Sequence, residues 1–179
     1  MTFLILAIVI VGFVFLLYNS LVKLRVMAEG AWADIDVQLK RRHDLIPNLL
    51  ETVKGYAAHE RGTLEAVIDA RSRAMTAVGP AAKGQAEGEL TGALRSLFAL
   101  AENYPQLRAT ENFGMLQGSL AEMEDAIQHA RRYYNAVVRD YNTKIQQFPS
   151  NLVALSFGFR PREFFEASED ERSVPQVRF

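Results

Sequence analysis

The feature that most constrains this chain is its first 22 residues, which carry no charged side chain. Residues 3–18 form an unbroken apolar and aromatic run. Asn19 and Ser20 interrupt it, Leu21 and Val22 extend it, and Lys23 ends it. A helix needs roughly 20 such residues to cross the hydrocarbon of a bilayer, so residues 1–22 read as a transmembrane anchor. A signal peptide would show a basic stretch before the apolar one and a small-residue cleavage site after it. Met1-Thr2-Phe3 and Leu21-Val22-Lys23-Leu24 supply neither. Lys23 and Arg25 follow the segment, with Lys40, Arg41 and Arg42 further on, whereas the N-terminal side carries only the α-amine. The positive-inside rule then predicts a single-pass protein of the cell (inner) membrane, N-terminus outside and the following domain cytoplasmic.

Past the anchor, apolar residues recur every three or four positions and no strand pattern competes with them. The clearest stripe is Phe113, Leu116, Leu120, Met123, Ile127, Ala130, Tyr134, Val137, Tyr141, Ile145 and Phe148. It predicts a helix of about 36 residues, some ~54 Å long. The stripe is either bundle core or the seam of an intermolecular coiled coil; aromatics and an alanine at core positions favour the bundle. Phe148-Pro149-Ser150-Asn151 ends this helix, with Ser150 or Asn151 as cap of a short helix over 152–156 that Gly158 closes.

Upstream, residues 21–43 hold no proline and one glycine, Gly30, so the first soluble helix is expected to leave the membrane unbroken. At Asp44-Leu45-Ile46-Pro47-Asn48 two readings stand. Asp44 caps a new helix with Pro47 in its first turn, or Pro47 kinks one long helix. The pattern continues from Leu49, Leu50, Val53, Tyr56 and Ala57 through Leu64, Val67, Ile68 and Met75, until Gly79-Pro80 stops it. Residues 79–88 read as a small, polar loop, and 89–102 as a shorter helix ended by Asn103-Tyr104-Pro105. The fold class is therefore all-α: an N-terminal transmembrane helix (1–22) continuing into an antiparallel bundle of long helices (23–159). A mostly flexible tail follows (160–179), in which Phe164 and Phe165 are able to dock.

The net charge of −1 argues against a nucleic-acid partner. The absence of cysteine excludes disulfides, thiolate metal sites and cysteine nucleophiles. His59-Glu60 opens a zinc-protease pattern, but position 63 is Thr63. His43, His59 and His129 are scattered and read as surface or interhelical residues, and Glu-x-x-His, the mark of a di-metal bundle, does not occur. No catalytic residue, cofactor or metal is expected. What remains is polar: Asp34, Asp36, Gln38, Lys40, Arg41, Arg42, Asp44 and Asn48, and later Arg131, Arg132, Asn135, Arg139, Asp140 and Asn142. The plain reading is a solvated face. The sharper one pairs Asp36 or Asp44 with Arg131 or Arg139 to set helix register.

Several longer strings resemble the LemA family. They are Ala31-Trp32-Ala33-Asp34-Ile35-Asp36-Val37-Gln38-Leu39-Lys40-Arg41-Arg42 and, directly after, Asp44-Leu45-Ile46-Pro47-Asn48-Leu49-Leu50-Glu51-Thr52-Val53-Lys54-Gly55-Tyr56. Glu102-Asn103-Tyr104-Pro105, Glu111-Asn112-Phe113, Ala130-Arg131-Arg132-Tyr133-Tyr134-Asn135 and Phe148-Pro149-Ser150-Asn151 add to it. Gly118, in Met115-Leu116-Gln117-Gly118, departs from it, standing where a charged residue is expected. The resemblance implies a helical bundle on one membrane span and no catalytic activity. It also implies an envelope-stress context and an association with HtpX-like membrane zinc metallopeptidases or TPM-domain proteins.

The functional expectation is a non-enzymatic membrane scaffold or adaptor that self-assembles as a homo-oligomer and engages such quality-control partners. The alternative is a coat-forming protein that remodels membrane lipid. The candidate interaction and register residues are Trp32, Asp36, Gln38, Arg41, Arg42, Asp44, Pro47, Asn48, Arg131, Tyr134 and Asn135. Trp32, the single tryptophan, is either an interface anchor or a core residue.

Overall fold

A computed structural model describes residues 1–165, and all regular structure among them is helical, as expected. The order is α1 (Thr2–Lys54), α2 (Arg61–Thr76), α3 (Pro80–Ala101), α4 (Pro105–Arg108), α5 (Glu111–Gln146) and α6 (Ser150–Ser156). The described residues form two compact units: Met1–Ile35 with Ala130–Phe164, and Asp36–His129 with Phe165. Helices α1 and α5 contribute to both.

In the first unit, Leu21, Ala28, Ala31 and Ile35 are buried at helical spacing along α1. Leu21 joins Tyr141 and Ile145 of α5 and Val153 and Ala154 of α6 in one apolar cluster. Trp32 meets Tyr134 further along, so α1 and α5 run antiparallel here. The uncharged start of α1 is different: Phe3, Val11 and Phe15 are each more than half exposed. Ser150 does not cap α6 as expected. Its hydroxyl donates to the Lys144 and Gln147 carbonyls, 2.6 and 2.9 Å away, closing the end of α5 instead. Gly158 ends α6 at φ +70°, with the Phe159 N–H returning to the Ala154 carbonyl at 2.9 Å.

Residues 160–163, expected to begin a mostly flexible tail, are bonded along α5. The Tyr141 hydroxyl donates to the Arg160 carbonyl (3.0 Å) and that of Tyr134 to the Glu163 carbonyl (2.8 Å). The Asn142 amide donates to the Arg162 carbonyl (2.8 Å) and accepts from its N–H (2.9 Å). Burial raises the pKa of both tyrosines, which keeps them protonated donors. The Arg162 guanidinium reaches Glu29 on α1 at 2.5 Å. Phe165 is buried, while Phe164 is 37% exposed. The rest of the expected tail lies outside the described residues.

In the second unit, Ile46, Leu49, Leu50 and Val53 of α1 share a core with Leu64, Val67, Ala70 and Ala74 of α2. Leu90, Leu94, Leu97 and Ala101 of α3, Leu107 of α4, and Phe113 and Leu120 of α5 complete it. Here α1 continues unbroken through Pro47, so Asp44 does not start a new helix. Proline lacks the N–H that would bond the carbonyl four residues back. That carbonyl is His43's, and it accepts instead from Arg71 Nε of α2 at 2.9 Å.

Two expectations fail here. The helical pattern from Leu49 to Met75 is not one helix: α1 stops at Lys54, and a turn carries the chain to α2 at Arg61. Gly55 weakens the helix there, and Ala57 drops into the core, its N–H bonded to the Val53 carbonyl at 2.8 Å. The turn brings Leu64 and Val67 back onto the same core as Val53. Nor is 79–88 a loop. Gly79, at φ +87°, starts α3, and Pro80 takes its first turn, where a missing N–H costs nothing. Gly84, Ala86 and Glu87 are buried; the small residues line a packed helix face.

The 36-residue α5 matches the predicted length. Its stripe is core: Phe113 and Leu120 belong to the second unit's cluster, and Tyr141 and Ile145 to the first's. Phe148, the last expected member, is 79% exposed.

Candidate functional site

Two charged residues occupy positions that helical spacing reserves for core. On α1 the buried stripe reads Leu39, Arg42, Ile46, Leu49, Val53, and on α3 it reads Glu87, Leu90, Leu94, Leu97, Ala101. Each advances by three or four residues, so Arg42 and Glu87 stand where leucine would pack. Isolated, either charge would be costly to bury. Together they form an ion pair with side chains 2% and 5% exposed.

The pair is built into a network. Arg42 Nη2 donates to Glu87 Oε2 and, at 3.3 Å, to the Glu87 carbonyl. Arg42 Nη1 donates to Glu124 Oε2 on α5 at 2.6 Å and to Thr91 Oγ1 at 3.1 Å. The Thr91 hydroxyl donates in turn to the Glu87 carbonyl at 3.0 Å. His43 Nε2 stands 2.8 Å from Glu87 Oε1, off the line of a straight hydrogen bond. Burial by itself would raise the Glu87 pKa. The contact with His43 and the charge of Arg42 outweigh it and hold the carboxyl below its ordinary value, so it is ionised. Arg42 Nε is left without a partner.

A cavity of about 280 Å³ opens beside this network, lined by Arg42, Thr91, Arg95, Phe98, Gln117 and Glu124 among others. Among the described residues no cluster of three or more histidine and acidic side chains is arranged to hold a metal. The network's charges face one another, and the arrangement joins α1, α3 and α5 in one register.

The candidate residues do not form one patch. Trp32 is half-buried against Tyr134, ring centroids 5.4 Å apart and tilted by 55°, which is core packing within the first unit. Tyr134 is itself buried, and Arg131 and Asn135 are half-buried and engaged. In the second unit, Asp36 takes Lys83 of α3 as its ion-pair partner at 3.1 Å. Gln38 is half-buried, whereas Arg41, Asp44, Pro47 and Asn48 are exposed. Of the candidates, only Arg42 lies in the buried network. His43, Glu87, Thr91 and Glu124 were not singled out. Glu87 carried a readable signal, because it extends the Leu90, Leu94, Leu97 stripe by one step of three.

Comparison with known proteins places these features. A family model described as the LemA family matches residues 31–179, starting just past the uncharged stretch. The chain is 26% identical to the magnetosome protein MamQ of Magnetospirillum gryphiswaldense, over 89% of this chain and 70% of that protein. It is 27% identical to magnetosome protein MamQ 1 of Paramagnetospirillum magneticum, over 83% of this chain. It spans 64% of that relative's length. It is also 27% identical to Protein LemA of Metamycoplasma hominis, over 86% of this chain and 71% of that protein.

Proposed function

This chain belongs to the LemA family, and from that premise we propose that it is a non-catalytic, membrane-anchored helical scaffold. In this reading it self-assembles and engages envelope quality-control partners, a membrane zinc metallopeptidase of the HtpX-like kind or a TPM-domain protein.

The observation that carries the reading is the uneven burial of α1. Its most apolar 18-residue window, with a mean hydropathy of 2.6, is only 6% buried by the rest of the chain. Further along, the same helix buries Leu39, Ile46, Leu49 and Val53 completely or nearly so. A helix that needs cover all round but receives it only over its later turns takes lipid over its earlier ones. Lys23 and Arg25 at the end of the uncharged stretch favour an N-terminus outside and the helical units in the cytoplasm. The Arg42 network supports a structural role, since its ion pairs and hydrogen bonds link three helices to one another.

The test is to extract the full-length protein from its own cells in mild detergent, measure the mass of the intact complex and identify its components. A uniform homo-oligomer carrying a membrane metallopeptidase or a TPM-domain protein is the expected result. A plain monomer with nothing attached overturns the scaffold reading.

A further inference from the structure

We propose that α6, with the residues that flank it, is a second membrane contact: an interfacial helix whose outer face rests in the lipid beside the anchor. This rests on the anchor reading above, and the experiment below separates the two.

From Phe148 to Phe159 the sequence Phe-Pro-Ser-Asn-Leu-Val-Ala-Leu-Ser-Phe-Gly-Phe contains no charge. Its inner side is accounted for, since Ser150, Val153 and Ala154 are buried. Its outer side is not. Phe148 is 79% exposed, Leu152 57%, Leu155 85% and Phe157 58%. Leu152 and Leu155, three residues apart within α6, share a face, and Phe148 lies exposed in the turn before it. A short helix in water carries polar residues on its outer face; this one exposes two leucines there, with Ser156 as its one fully exposed polar residue.

Its position says what covers it. Within the first unit, Val153 and Ala154 pack in the cluster that includes Val14, Leu17, Tyr18, Leu21 and Leu24, the last turns of the uncharged stretch and the first beyond it. The Tyr18 ring lies 4.9 Å from that of Phe157 and 5.7 Å from that of Phe159. A segment seated on these turns lies at the depth where the anchor leaves the hydrocarbon, so lipid that surrounds the anchor is already its neighbour. The surroundings fit that level. Tyr18 belongs to the aromatic belt of a membrane interface. Lys23, Arg25 and Arg160 are exposed, and Arg25 stacks over Phe159 at 5.5 Å; these cations suit phosphate headgroups. The ends of α6 are closed by main-chain bonds, Leu152 N–H to the Pro149 carbonyl and Phe159 N–H to the Ala154 carbonyl. Such closure leaves fewer main-chain groups to be met where the apolar side dips below the headgroups.

Because the chain has no cysteine, single-cysteine variants of the full chain report unambiguous positions. Leu155→Cys, Phe15→Cys and Tyr133→Cys, each at an exposed side chain, carry an environment-sensitive fluorophore. The proteins are placed in vesicles of phosphatidylethanolamine and phosphatidylglycerol. Lipids spin-labelled near the top or the end of the acyl chain, and aqueous iodide, serve as quenchers. The label at Leu155→Cys is expected to be quenched about twofold more by the shallow lipid label than that at Tyr133→Cys, and protected from iodide. The label at Phe15→Cys is expected to respond to the deep one. If the Phe15 position is deep but the Leu155 position is as open to iodide as Tyr133, the α6 proposal is overturned and the anchor stands. A Leu155 position shielded from both iodide and lipid quenchers is covered by protein, such as a second copy, which also overturns it. If the Phe15 label is open to iodide, the anchor reading fails first and the α6 proposal falls with it.

Discussion

Replacing Glu87 by glutamine removes one charge from the buried network and almost no volume. Arg42, 2% exposed, would keep Glu124 at 2.6 Å, the Thr91 hydroxyl at 3.1 Å and the Glu87 main-chain carbonyl at 3.3 Å. Removing one partner of a buried pair costs about 3–5 kcal/mol when the remaining charge is left bare. Here it is not bare, but Glu124 is 36% exposed and its charge partly screened, so the expectation is about 2–3 kcal/mol. For a chain of this size that lowers Tm by about 4–12 °C. Urea unfolding of the full chain in detergent, followed by far-ultraviolet circular dichroism, reads the change directly. The decisive comparison is Arg42→Met combined with Glu87→Gln. Removing the orphaned guanidinium as well should recover about 1.5–2.5 kcal/mol of that loss. If Glu87→Gln shifts stability by less than about 0.5 kcal/mol, or if the double variant is less stable than Glu87→Gln alone, the ion pair is not what holds the register of α1 and α3.

Three further outcomes follow from the same geometry. Arg71→Ala should cost about 1–2 kcal/mol by leaving the His43 carbonyl unmet, and much less in a Pro47→Ala background, where residue 47 regains its N–H; a thermal-unfolding double-mutant cycle measures the difference. Glu87 has a folded-state pKa below its ordinary value of 4.5. Its stabilisation is therefore fully present at neutral pH and lost as pH falls below that value through the depressed one, so the gap between wild type and Glu87→Gln in urea titrations should narrow only in that acidic window. Asn142→Ala removes both hydrogen bonds to Arg162, and amide exchange should speed up by at least about tenfold at Arg162 while α6 amides change little.

What could be read from the sequence was what a single periodicity carries. The uncharged start of α1 and the stripe of α5 are long, uniform patterns, and both are helical as the periodicity predicts. Both misread helix boundaries involve glycine, which has two uses. In Gly79-Pro80 to Gly88, small residues suggested a loop, but only Gly79 turns the chain; Gly84 lies buried in a helix. At Gly55 the periodic pattern survived the turn because both α1 and α2 face one core, and periodicity does not register a change of direction. Glu87 falls in the first turns of α3, which read as loop, and a lone histidine such as His43 carries no spacing signal. Arg42 was singled out for its polarity, although its place on an apolar stripe was the stronger evidence. The partner of Asp36 had to come from the structure, since Lys83 sits in the stretch mistaken for loop.

The segment from Arg160 to Glu163 is gripped almost wholly through its amides. Tyr134, Tyr141 and Asn142 meet three of its carbonyls and one N–H, and Arg162 adds a side-chain tie, to Glu29. The specificity of this seat is therefore encoded in α5, not in the segment it holds. The main-chain bonds would tolerate other side chains at 160 and 163, whereas each change of tyrosine or asparagine on α5 removes a tie whatever the segment's sequence.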